Sequence, residues 1–320
     1  MFREEIKVLD CTIRDGGLMN DSKFDRQTVR KVYESICRAG LDYVELGYRN
    51  SKAMFDPAEY GPWRFCDEED LKWVTDGIDT GDTKLAVMQD AHKASPDDVQ
   101  ACEDSLVDLI RVATYVKDVD KAILLANSAH EKGYETTINI MAISHEGPPE
   151  MDEALRQIEE ETQVQAVYIV DSFGALYSEQ VHYLVERYGM SVKSKEIGVH
   201  FHNNQQLAYA NTIEAVIKGA NYLDGTLYGL GRAAGNCPLE LLLGFLKNPK
   251  FNLVPLLDAI GSVIMPLRDE FQWGYTIPYM LTGIRDEHPR EAMRWLAQDD
   301  PDKRRDYVAF YQEIVGGYDE

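Results

Sequence analysis

The chain has 320 residues, 44% of them hydrophobic and 28% charged, enough for one large globular domain or two ordinary ones. Its 33 basic residues stand against 55 acidic ones, and a net charge of −22 repels phosphate backbones and anionic membranes, arguing against either as a partner. No apolar run reaches the ~20 residues of a membrane-spanning helix, and Met1 to Asp10 lacks the apolar core and cleavage site of a secretion signal. The cysteines Cys11, Cys37, Cys66, Cys102 and Cys237 are scattered and form no CxxC pair. They are expected to be small buried apolar residues in a reducing, cytoplasmic compartment.

In chain order, short β-rich runs alternate with helical segments. The first strand is predicted over 6–11, followed by a loop and an amphipathic helix over 28–39 that Gly40 stops. Further strands are predicted over 43–46, 84–88, 106–112, 136–141, 166–171, 197–202 and 222–226. The short gap between the third and fourth strands leaves room only for a brief helix near 96–103. Eight strands alternating with helices predict an α/β fold, a closed (β/α)8 TIM barrel over residues 1–248. No G-x-G-x-x-G follows an early strand, which disfavours a dinucleotide-binding sheet. Beyond residue 248 the pattern changes. Residues 253–264 read as helix interrupted at Pro266, and the tail carries Trp273, Tyr275, Tyr279, Trp295, Tyr307, Phe310 and Tyr311. These predict a helical extension over 249–320 packed on the barrel, with a homo-oligomer interface as the alternative.

Reactive side chains in such a barrel come from the C-terminal ends of strands and the loops after them. His200 and His202 end the seventh strand, and the period of two puts both on one face, able to meet one ion. Asp15, from the loop after the first strand, enters the same mouth. A carboxylate and two imidazoles make a metal-binding set with positions left for substrate. Asn236, in the glycine-rich loop after the eighth strand, offers a further oxygen, and Asp10 is the other candidate ligand or supporting group. Arg14 adjoins Asp15, and its permanent charge suits a developing oxyanion, an ion pair with Asp10 or Glu45, or both. Arg49, after the second strand, is a candidate for binding an anionic or hydroxylated substrate group. His92 and His145 follow the third and fifth strands and are candidate bases.

The run Asp10-Cys11-Thr12-Ile13-Arg14-Asp15-Gly16 resembles the opening motif of the DRE-TIM metallolyases, the HMG-CoA lyase-like superfamily. His200-Phe201-His202-Asn203-Asn204, Gly229 to Asn236 with Leu239-Glu240, and Asp171-Ser172-Phe173-Gly174-Ala175 resemble its 4-hydroxy-2-oxovalerate aldolase branch. The resemblance spans roughly residues 6 to 245. It implies that Asp15, His200 and His202 bind a divalent ion, Mn²⁺ or Mg²⁺ with Zn²⁺ or Co²⁺ as alternatives. The ion would chelate a 2-oxo acid and stabilise a pyruvate enolate. Arg14 would then donate to the enolate oxygen, Ser172 would border the substrate, and Tyr279 would relay a proton. The chain departs from the branch at Leu18, where a histidine base is expected. The condensing synthases of the superfamily carry His-Asn-Asp where this chain has His202-Asn203-Asn204. An acyl-CoA-dependent condensing transferase is therefore the second expectation, and a metal-binding barrel without turnover the third.

Overall fold

The structure, a computed structural model, describes residues 3–316. Eight parallel strands close into a barrel in sequence order: β1 Lys7–Asp10, β2 Tyr43–Tyr48, β3 Lys84–Asp90, β4 Leu109–Thr114, β5 Glu135–Ile140, β6 Ala166–Asp171, β7 Glu196–Phe201 and β8 Tyr222–Gly225. Closure follows from the register between Lys7 and Tyr222 and between Asp10 and Gly225. The strands are buried on both faces because each lies between the barrel interior and a layer of helices. Leu9, Tyr43, Ala86 and Leu109 pack inside, while Val8, Val44, Val87 and Ile110 join the main core beneath the helices. Gly198 on β7 lies opposite Tyr168 on β6, and a Cβ there would stand 2.5 Å from the tyrosine ring.

The barrel helices are α1 Thr12–Gly16, α2 Arg26–Ala39, α3 Glu68–Thr75, α4 Val119–Glu131, α5 Pro148–Glu161, α6 Ser178–Ser191, α7 Ala208–Lys218 and α8 Leu239–Leu246. Asp25 caps α2 by accepting from the amides of Gln27 and Thr28, and Gly40 ends it at φ 75°. Two 3-10 turns, Pro96–Asp98 and Cys102–Asp104, make the β3–β4 crossover where a brief helix was expected. The expected fourth strand begins three residues later than 106, because Leu106 is exposed and the Asp108 carboxylate accepts from the Leu85 amide. The expected loop after β1 is instead the short helix α1.

The chain continues through α9 Leu253–Ala259, a π-turn Ile260–Ile264, α10 Met265–Leu267, α11 Ile277–Ile284, α12 Arg290–Leu296, α13 Pro301–Arg305 and α14 Tyr307–Gly316. Pro266 does not interrupt the helix over 253–267. The wider π-turn before it absorbs the missing amide and the ring's clash with the preceding turn. The extension is tied to the barrel by hydrogen bonds from the Asn252 amide to Ala39 O, the Gly274 amide to Ala233 O and the Trp273 indole to Tyr228 O. Phe310, Ile314, Tyr279 and Ala292 form a small second core with Ala233 and Ala234 of the loop after β8. Among the described residues, no helix is long and apolar enough to cross a membrane.

Candidate active site

The C-terminal ends of the strands open into a cavity of about 380 Å³, within the range of small-molecule sites. Arg14, Asp15, Ser172, His200 and His202 all line it. Helix α1 turns Arg14 and Asp15 back over the barrel mouth, and both are buried.

Asp15 Oδ2 and His200 Nε2 lie 3.3 Å apart, and neither has a hydrogen-bond partner. Asn236 Oδ1 is likewise buried and unpartnered, and its amide nitrogen donates to Leu230 O. His200 Nδ1 faces Asp224 Oδ2 at 2.9 Å, and His202 Nδ1 faces Asp171 O at 2.9 Å. These contacts assign the ring protons to Nδ1 and leave each Nε2 lone pair free. The two imidazoles have centroids 5.1 Å apart. Burial holds the His202 pKa down at about 3, so its ring is neutral.

Behind these groups runs a closed chain of buried charge. Arg14 Nη1 donates to Asp15 at 3.0 Å and its Nε to Glu45 at 2.7 Å. Arg111 donates to the same Glu45 oxygen at 3.0 Å and to Asp224 at 2.7 Å, and Asp224 returns to His200. Three carboxylates against two guanidiniums leave one negative charge unbalanced. Burial opposes ionisation of Asp15, but the Arg14 charge and the neighbouring His200 ring hold its carboxyl well below the usual range. Burial likewise opposes charge on His200, yet the nearby Asp15 carboxylate and the bond to Asp224 outweigh it and raise its pKa. A net negative site with unpartnered carboxylate, imidazole and amide donors fits a divalent cation. Cys11, Asp15 and His200 also cluster, but the Cys11 sulfur lies at 3.9 Å from Nδ1, the opposite edge of the ring from Asp15. Burial raises its thiol pKa, and it donates to Gly225 O. One ion cannot take both ring edges, so the thiol is not part of the donor set.

Other expected site residues are placed differently. Asp10 turns away from the interior face that Leu9 and Cys11 share, and accepts from the Thr12 hydroxyl and amide. The Thr12 hydroxyl in turn accepts from the Leu227 amide, so Asp10 braces the β8 loop. Arg49 does not line the cavity: it pairs with Glu68 on α3, which also binds the Ser105 hydroxyl and Leu106 amide. Tyr279 is turned by α11 into the second core, behind the cavity wall, with Arg232 as its charged neighbour. Leu18 lines the cavity as an apolar residue beside Tyr48, Met88 and Ala113. His92 pairs with Asp118, and His145 contacts Asp286 O at 2.6 Å and lies tilted against Phe173 with ring centroids 4.8 Å apart. Neither lines the cavity. Asn204, where the condensing synthases carry aspartate, is buried and donates to Tyr279 O.

Sequence reasoning missed Arg111, Asp224, Arg232, His288 and Arg290. Arg111 and Asp224 were visible as charges inside apolar strands, where only a buried partner makes them tolerable. The other three reach the cavity from the β8 loop and the extension.

Residues 5–253 match the family model described as HMGL-like. The 4-hydroxy-2-oxovalerate aldolase of Thermomicrobium roseum is 29% identical over 295 residues, which span 88% of this chain and 81% of that protein. The oxaloacetate decarboxylase of Mycobacterium tuberculosis is 31% identical over 245 residues, spanning 77% of this chain and 70% of that one. Among solved structures, the N-terminal domain of a Bacteroides vulgatus protein matches with a TM-score of 0.79 and 30% identity, covering 92% of this chain and 97% of that one. The hydroxymethylglutaryl-CoA lyase of Pseudomonas aeruginosa shares the fold, with a TM-score of 0.68 at 18% identity over 83% of this chain and 94% of that one.

Proposed function

Because this chain belongs to the HMGL-like family, we propose that it is a divalent-metal-dependent aldolase that cleaves or forms the C3–C4 bond of a 4-hydroxy-2-oxo acid by way of pyruvate enolate. The observation that carries the reading is the pair of buried, unpartnered atoms Asp15 Oδ2 and His200 Nε2 beside Arg14 in a small-substrate cavity, with Asn236 Oδ1 also buried and unpartnered. Asp15, His200 and His202, with Asn236, would hold the cation. A mixed oxygen and imidazole set suits Mn²⁺ or Mg²⁺, with Zn²⁺ and Co²⁺ as competitors. When bound, the cation supplies Lewis-acid stabilisation for the charge that develops on the 2-oxo group.

The remaining work falls to the protein. Glu45 and Asp15 fix the Arg14 guanidinium, and its Nη2 is left to donate to the developing oxyanion. Ser172 accepts from the Ala142 amide and forms the adjoining wall against the substrate. In the cleavage direction the C4 hydroxyl loses its proton as the C3–C4 bond breaks, releasing an aldehyde. The bonding pair becomes the enolate, and a proton delivered to C3 completes pyruvate. Tyr279 packs against Ala233 and Ala234 of the loop after β8, beside Arg232. Five cysteines, all unpaired, support a reducing cytoplasmic setting.

Deuterium uptake into the pyruvate methyl group tests the reading without any choice of aldehyde. Protein stripped of metal and reloaded with Mn²⁺ should catalyse exchange in D₂O, and His200→Ala should lose both the ion and the exchange. Arg14→Lys should keep the ion and slow exchange by about 10²- to 10³-fold. No exchange by wild-type protein with Mn²⁺ bound overturns the proposal.

A further inference from the structure

One wall of the cavity is cationic in a chain with a large excess of acid. Arg232, from the loop after β8, and His288 and Arg290, from the extension, all line it. Among the described residues, neither Arg232 nor Arg290 has a carboxylate in an ion pair. Arg232 Nε is buried without a hydrogen-bond partner. The acidic residues number 55 against 33 basic ones, so two unpaired guanidiniums on one cavity wall are not a matter of scarce counter-charges. Of the two acidic lining residues, Asp15 is already paired with Arg14 at 3.0 Å and Asp90 with Lys93 at 2.8 Å.

The histidine between them adds an independent sign. His288 Nδ1 accepts from the Arg290 amide at 3.1 Å, which puts the proton of the neutral ring on Nε2. That Nε2 faces Arg232 Nη1 at 3.3 Å. A guanidinium has no acceptor and a neutral imidazole offers one lone pair, so the ring cannot accept from both the Arg290 amide and Arg232, and one of these donors is left without an acceptor. Burial, with the charges of Arg232 and Arg290, holds the His288 pKa down at about 4, so the ring offers a hydrogen bond rather than a third charge.

We propose that Arg232, His288 and Arg290 form an oxyanion subsite within the cavity, so that the carbonyl fragment released with pyruvate ends in a carboxylate or a phosphate. What shares the cavity with that fragment rests on the aldolase reading; the subsite itself rests on these three side chains. An oxyanion accepts from both guanidiniums and from His288 Nε2–H, and supplies the missing acceptor. A neutral aldehyde tail of equal length leaves all three donors unmet, which costs more than a missing favourable contact.

The test is calorimetric and needs no turnover. The Mn²⁺-loaded protein is titrated with 2-oxovalerate, 2-oxoglutarate and 4-phosphono-2-oxobutyrate, which share a 2-oxo acid head and differ in the terminus. Wild type should bind one of the two dianions at least about tenfold more tightly than 2-oxovalerate, and which one identifies the terminus. Arg290→Ala, at an exposed position, and Arg232→Gln should each bring that ratio close to one. A ratio within one variant is unaffected by a smaller folded fraction. Equal binding of all three compounds by wild type, or measurable binding of neither dianion, overturns the subsite. Intact dianion preference without pyruvate exchange overturns the aldolase reading and leaves the subsite standing; exchange without preference does the reverse.

Discussion

Asp224 shows how much of this site depends on a residue that touches no substrate. One of its oxygens accepts from both Arg111 and His200 Nδ1, while burial opposes its charge and the Arg111 and His200 contacts hold its pKa below the ordinary value. It thereby sets the tautomer that presents His200 Nε2 to Asp15. Asp224→Asn keeps the shape but removes a charge from the ring and weakens the acceptor. Mn²⁺ affinity should fall by about 10- to 100-fold, read by calorimetry against wild type. Arg111 keeps Glu45, so the variant should still fold. Unchanged affinity would show that the His200 tautomer is set without Asp224.

At the scale of elements, the strand ends decide which expected residues meet. The alternation along β7 was legible as His200 and His202 on one face, and the position of Asp15 after β1 was legible from barrel geometry. Arg49 was not, because which way a residue turns after a strand depends on the next helix. Here α3 presents Glu68, and the pair ties the β2 loop to residues 105 and 106. The same limit hid the lining of the mouth: that His288 and Arg290 reach the cavity while Tyr279 turns inward is set by packing of α11 and α12, which no local pattern records. The Glu68 contact has a definite pH signature. Burial would raise its pKa, but bonds from Ser105, the Leu106 amide and Arg49 hold it below the ordinary 4.5. A carboxyl with a depressed folded pKa stabilises fully above the unfolded value and loses that contribution as pH falls through the folded one. Glu68→Gln should therefore be less stable than wild type at pH 7. The gap should narrow below about pH 4.5, as followed by urea unfolding. A gap that is constant with pH would mean that Glu68 acts by shape alone.

For the whole molecule, the consequence is that the barrel and the outer helices α11 to α14 share one site but not one core, whereas α9, the π-turn and Trp273 belong to the barrel's main core. The barrel's main core runs continuously beneath its helices, whereas α11 to α14 are held chiefly by the small cluster of Phe310, Ile314, Tyr279 and Ala292 against Ala233 and Ala234. A segment with few buried apolar side chains opens at lower free energy than the strands it covers. This segment carries His288 and Arg290, so opening it removes two of the three donors on the cationic wall while leaving Asp15, His200 and His202 in place. Phe310 is 1% exposed and tilts against Trp295 with centroids 5.2 Å apart. Phe310→Ala should cost about 3–5 kcal/mol locally. By native-state hydrogen exchange, amides in 277–316 should exchange faster while those of β4 to β6 keep wild-type protection. Equal acceleration in the strands would mean that extension and barrel unfold as one unit, and that the wall is as rigid as the metal-binding end of the cavity.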